Sequence, residues 1–235
     1  MTIKQLIELA PSLIRYNLRI IFAGKFIWFF LAALLFFSFF IFQSAWNRSD
    51  MNEGLIYQLL FFPSLLLIFY PAVFGIQNDE ENRILEILFG IPDYKFKVWG
   101  VRLLIIYIAI YFILVIFGYL ASWLLYPVNP FSMSLQLMFP IFFVGNLAFM
   151  LSTITRSGNG TAVLVIMMGV GFLFMGEMME NSFTDIYINP YKIPRNFHPS
   201  IWQNTLLKSR IFLFAGAIIW FMIGLINLQK REKFI

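Results

Sequence analysis

Two carboxylates three residues apart, Glu177 and Glu180, come nearest in this chain to a functional acid pair. That spacing puts both on one face of a helix. They close an apolar run, so the expectation for them is solvation at headgroup level rather than a buried proton or cation site. The rest of the chemical inventory is thinner. The single histidine, His198, precedes Pro199 in a polar stretch, with no His-Glu-x-x-His zinc pattern and no serine pairing within an apolar run. With no cysteine, disulfides, thiolate metal sites and cysteine nucleophiles are excluded. No aspartate pair lies within the apolar runs, as an intramembrane aspartyl protease would need. No Gly-x-x-x-x-Gly-Lys-Ser/Thr phosphate loop occurs either, because Gly24-Lys25 lacks both the earlier glycine and the following hydroxyl. No catalytic, cofactor-binding or metal-ligating residue is assigned, and the chain is read as not an enzyme.

The elements that carry these few polar groups are overwhelmingly apolar. Hydrophobic residues make up 60% of the chain and charged residues 12%, with 30 Phe among 235 residues, more apolar surface than a soluble core of this size can bury. Six runs reach the roughly 20 residues needed to cross a bilayer as a helix. They lie at about Phe26–Trp46, Leu55–Ile76, Val98–Leu125, Met133–Thr155, Thr161–Met179 and Ile211–Leu228. None alternates polar with apolar as a barrel strand does, and lipid leaves a helix as the other way to satisfy the backbone. The expected fold is all-α: a polytopic membrane protein with six transmembrane helices. The first run follows a charged leader and is long enough to span, so it reads as retained rather than cleaved. Pro63, Pro71 and Pro140 fall inside runs, with packing the favoured role over gating. Asn146, Thr153 and Thr155 are candidates for interhelical hydrogen bonds.

The cations sort by side. One set comprises Lys4, Arg15, Arg19 and Lys25, then Arg83, Lys95, Lys97 and Arg102, then Arg156, and finally Lys230, Arg231 and Lys233. The opposite set is Arg48, Lys192, Arg195, Lys208 and Arg210. By the positive-inside rule both termini are cytoplasmic, in a plasma (inner) membrane. The net charge of +5 is then an orientation signal with some attraction to anionic headgroups. Its scatter over four separate pieces gives no nucleic-acid surface.

Two regions accompany the 26–235 transmembrane domain. In residues 1–25, Ile3, Leu6, Ile7, Ala10, Leu13, Ile14, Leu18 and Ile21 fall on one side of a helical wheel, opposite Lys4, Glu8, Arg15 and Arg19. This is the pattern of an amphipathic helix lying in the interface, interrupted at Pro11. The segment after the second run gives a short amphipathic helix at about 79–90: Asn78 or Asp79 as cap, Glu80 and Glu81 at its positive end, and Gly90 with Pro92 as stop. Ile84, Leu85, Ile87, Leu88 and Ile91 form its apolar face, while Arg83 and Glu86 can pair opposite. An outer loop of about 180–208, rich in proline and aromatic residues, suggests short, interface-hugging or partly re-entrant pieces.

With six spans, both ends inside, an amphipathic leader and the run Asp79-Glu80-Glu81-Asn82-Arg83-Ile84-Leu85-Glu86-Ile87-Leu88 followed by Gly90-Ile91-Pro92, the chain resembles the permease subunits of ATP-binding-cassette exporters of the second type. A weaker match is the turn from Leu151 to Arg156 leading to Thr161-Ala162. The resemblance implies that the helix after the second span is a coupling helix seated in a separate cassette ATPase subunit, which carries the ATP and Mg. Asp79, Glu80, Glu81, Arg83, Ile84, Leu85, Glu86, Leu88 and Pro92 are the implied ATPase-coupling residues, with Ile84, Leu85 and Leu88 as apolar anchors. It also implies a second permease, identical or related, and a translocation pathway between the two. The rivals are a secondary transporter or channel, which needs midplane ions or broken helices, and a non-transporting membrane partner of an ATPase.

Overall fold

The computed structural model of the chain describes residues 25–46, 51–81, 95–155, 157–178, 182–194 and 197–228. Within them the architecture is all-helical, with six helices long and apolar enough to cross a membrane. They are α1 (Phe26–Trp46), α2 (Glu53–Glu81), α3 (Val101–Leu124), α4 (Pro130–Thr155), α5 (Gly158–Met178) and α6 (Pro199–Leu228), with a π-helical turn at Lys95–Gly100 leading into α3. The expected leader helix of residues 1–25 and the positions 82–94 lie outside the described residues.

Helix ends agree with the apolar runs where a run stops abruptly and exceed them where polar residues continue the helix. α1 has the expected bounds, whereas α2 runs on through Gln77, Asn78 and Asp79 to Glu81. Neither Asn78 nor Asp79 therefore starts a new helix: both belong to the last turns of α2. α6 begins at Pro199, twelve residues before the apolar run at Ile211. Proline suits the first helical position, where its missing N–H costs nothing, and the exposed His198 Nδ1 lies 2.8 Å from Ser200 Oγ beside it. His198 thus marks a helix start, and the loop before α6 is shorter than its expected 180–208.

α4 is the central helix, packed against α2, α3, α5 and α6 and buried along most of its length. α1 and α5 are peripheral and leave wide apolar faces exposed. Arg210 of α6 bonds Gln136 of α4, and Asn227 bonds Thr153, both pairs separated by 74 residues. Equal separations at two levels mean that α4 and α6 run parallel and in register. Close approach between them depends on Gly216, where an added Cβ would stand 2.5 Å from the Phe143 ring. Pro63, Pro71 and Pro140 are all buried against neighbours, a packing role at each. Asn146 turns its amide back to the Phe142 carbonyl, whereas Thr153 accepts from Asn227 of α6, Thr155 meets Thr161 of α5, and Ser152 donates to Val73 of α2. The bundle thus has two ends: a turn end, where Ser157 joins α4 to α5, and a loop end, crossed by residues 182–194.

Candidate functional site at the turn end

The last turns of α2 carry polar residues that cannot all face solvent, because a helix continuing off a buried stripe keeps one face on its neighbours. Asp79 falls on that inner face, fully buried. Its partner is Arg102, two residues into α3 and 5% exposed. Arg102 Nη1 donates to Asp79 Oδ2 at 2.6 Å and Nη2 to Oδ1 at 3.1 Å, a two-pronged pair. The guanidinium carbon also lies 4.9 Å from the centroid of the buried Trp99 ring, a cation–π contact that helps hold the charge away from water. Both charges are thus compensated, as burial at this depth demands. The cleft beside them, bordered by Tyr70, Phe74 and Asn78, measures ≈ 20 Å³, room for about one water and for no cofactor.

A second set of contacts fastens α2 to the α4–α5 turn. Gln77 Nε2 donates to Glu81 Oε1 at 2.6 Å, and its Oε1 accepts from the Gly158 N–H at 2.5 Å. A Cβ at residue 158 would collide with that Oε1 and with the Phe74 ring, so the turn reaches α2 only because glycine stands there. Ser152 Oγ donates to the Val73 carbonyl at 3.0 Å, one turn deeper. Thr161 Oγ1 donates to the Ser157 carbonyl at 2.8 Å, which closes the turn on itself. The turn end is therefore a clasp that joins α2, α3, α4 and α5, with the end of α2 and the start of α3 that flank residues 82–94 held together by Asp79 and Arg102.

Of the residues implied for ATPase coupling, Asp79 is turned into the bundle, whereas Glu80 and Glu81 are exposed at the end of α2. The carboxylate of Asp79 is committed to Arg102, so its place is in the support of the segment and not on its outer surface. Arg83, Ile84, Leu85, Glu86, Leu88 and Pro92 lie outside the described residues. Sequence reading missed Arg102, Trp99 and Gln77 as members of this cluster. A signal existed for Arg102, a lone charge inside the third apolar run, but it was absorbed into the count of cations by side.

The loop end is built differently. Asn189 donates from Nδ2 to the Gly54 carbonyl at 2.8 Å and accepts from the Tyr191 N–H at 3.0 Å, and Ile186 and Ile188 are buried beneath. Tyr187 reaches the Gly169 carbonyl, mid-way along α5, at 3.0 Å. The loop therefore dips between helices instead of lying flat over them. Burial, and secondarily the nearby Asp185, push the Tyr187 phenol above its ordinary pKa and keep it a neutral donor. The backbone of Glu177 lies in the last turn of α5, and Glu180 lies outside the described residues. No group of acidic or histidine side chains among the described residues has the spacing to hold a metal ion.

Comparison with protein-family models, curated proteins and solved structures finds no match to this chain.

Proposed function

We propose that this chain is the membrane-spanning permease subunit of a cassette transporter, driven by a separate ATPase subunit seated against residues 80–92. The observation that supports this most is the Asp79–Arg102 pair. A segment that transmits force needs its two ends fixed to the helices it moves, and the pair fastens the end of α2 to the start of α3 on either side of residues 82–94. The Gln77–Gly158 bond extends the same connection to α4 and α5. A push on the segment would then tilt four helices together. In this reading the turn end and both termini face the cytoplasm of a plasma (inner) membrane, and ATP and Mg belong to the partner. A second permease, the same chain or a related one, would complete the pathway.

Association with the ATPase tests this directly. A cassette ATPase, where one is encoded beside the gene, is co-expressed and pulled down through a tagged permease. Glu86→Lys and Leu85→Asp are expected to lose it while the permease still inserts in the membrane, and normal recovery with both variants would overturn the assignment. The second reading is a secondary transporter, favoured by the buried Arg210 of α6. Substrate uptake by energised vesicles that contain this chain and no ATPase would decide for it.

A further inference from the structure

At the loop end, one buried charge has no salt-bridge partner among the described residues. Arg210 of α6 is 7% exposed, and only its Nε is engaged, donating to Gln136 Oε1 at 3.0 Å. Nη1 and Nη2 have no hydrogen-bond partner, and the face of the guanidinium rests on the Phe139 ring at 5.3 Å. The hydroxyl of the fully buried Tyr57 lies beside the guanidinium. The two terminal nitrogens of a guanidinium beside a phenol O–H are a donor set suited to an oxyanion, the chemistry by which arginine recognises phosphate and carboxylate. Burying a cation with its donors unpaired is costly, and a ligand that pairs them offsets that cost.

Depth and surroundings narrow the ligand. Arg210 stands where the polar first part of α6 gives way to the apolar run from Ile211, the level at which a bilayer presents its headgroups. One helical turn below Tyr57, Phe61 meets Tyr187 at a ring distance of 5.4 Å. Both line the outer part of a ≈ 640 Å³ apolar groove between α2, α4 and α5. The half-buried Tyr191 packs its ring 5.9 Å from that of Tyr57. We propose that Arg210, with Tyr57 and Gln136, binds the phosphate of an anionic lipid at the loop end, its acyl chain lying toward this groove. The site does not depend on the transport reading, because binding alone is at issue.

The test uses the full chain purified in a neutral detergent, its thermal unfolding followed as phosphatidylglycerol, phosphatidylcholine of the same chains, or inorganic phosphate is added. Phosphatidylglycerol should raise the unfolding midpoint progressively, since a ligand that binds only the folded state stabilises it, whereas phosphatidylcholine should not. Arg210→Gln should weaken the apparent affinity at least roughly tenfold, the size of one charge-assisted hydrogen bond. Tyr57→Phe should weaken it less, and Lys208→Gln, an exposed cation nearby, should leave it unchanged. If Arg210→Gln does not yield folded protein, Arg210→Lys, which keeps the charge without the fork, should show the loss. Undiminished binding by a folded Arg210 variant, or equal response to the two lipids, would overturn the site. A shift with inorganic phosphate as large as that with phosphatidylglycerol would overturn the lipid as its ligand.

Discussion

The two ends of the bundle each bury an arginine and treat it in opposite ways. At the turn end Arg102 meets Asp79 in two bonds and lies over Trp99. At the loop end Arg210 has one neutral acceptor, Gln136, and two idle nitrogens. The same side chain is a charge-paired joint with only its Nε idle in one place and an unfinished set of donors in the other. Burial of a charge is therefore no guide to its role until its partners are counted: a compensated pair resists being broken, whereas an uncompensated cation carries a cost that its removal relieves.

That contrast can be broken most directly at the pair itself. Asp79→Asn or Arg102→Met each strand one partner, and each is expected to destabilise the folded state by about 3–5 kcal/mol, with the double variant Asp79→Leu/Arg102→Met recovering most of the loss. Denaturant unfolding in mixed micelles measures it, and equal loss in the double variant would show that the pair is not what holds the joint. Next in size is Gly158→Val, whose side chain must displace Gln77 and Phe74 at an expected ~1–3 kcal/mol. It should also raise hydrogen exchange in the α4–α5 turn while leaving the loop end protected.

Arg210→Met sharpens the comparison from the other side. In lipid-free detergent it should be neutral or stabilising by up to about 1 kcal/mol, opposite in sign to Arg102→Met, because no partner is left stranded apart from a Gln136 carbonyl. A loss as large as that at Arg102 would place a hidden counter-charge at the loop end. The smallest expected effect is Asn189→Ala, about 1 kcal/mol from one buried hydrogen bond to Gly54. Limited proteolysis within 182–194 should report it as faster cleavage, with the turn end unaffected.

Legibility in the sequence followed the strength of the local pattern. α1 was readable to the residue because Phe26–Trp46 is a strongly apolar run with only Ser38, Gln43 and Ser44 as polar residues. The first turns of α6 were not, because Pro199–Ser209 is polar by composition, and Trp202 and Ser209 are buried only through packing. Asp79 looked like a surface acid because Glu80 and Glu81 follow it, yet a helix turns by about 100° per residue, and one position on decides between solvent and core. The outer loop at about 180–208 was expected to hug the interface or partly re-enter. Within residues 182–194 Tyr187 reaches Gly169, mid-way along α5, and nothing in the residues themselves specifies that depth.

Composition and run length by themselves determined that this is a helical, six-span membrane protein, because the transfer of about twenty consecutive apolar residues into lipid and the need to satisfy every backbone group are properties of the segment alone. Which charges are joined, which stand without a partner, and how α4 comes to lie at the centre were decided only in three dimensions. Asp79 and Arg102 are 23 residues apart and Gln136 and Arg210 are 74 apart. Their meeting depends on helix rotation and register, which are set by packing contacts such as Gly216 on Phe143 that no single segment contains.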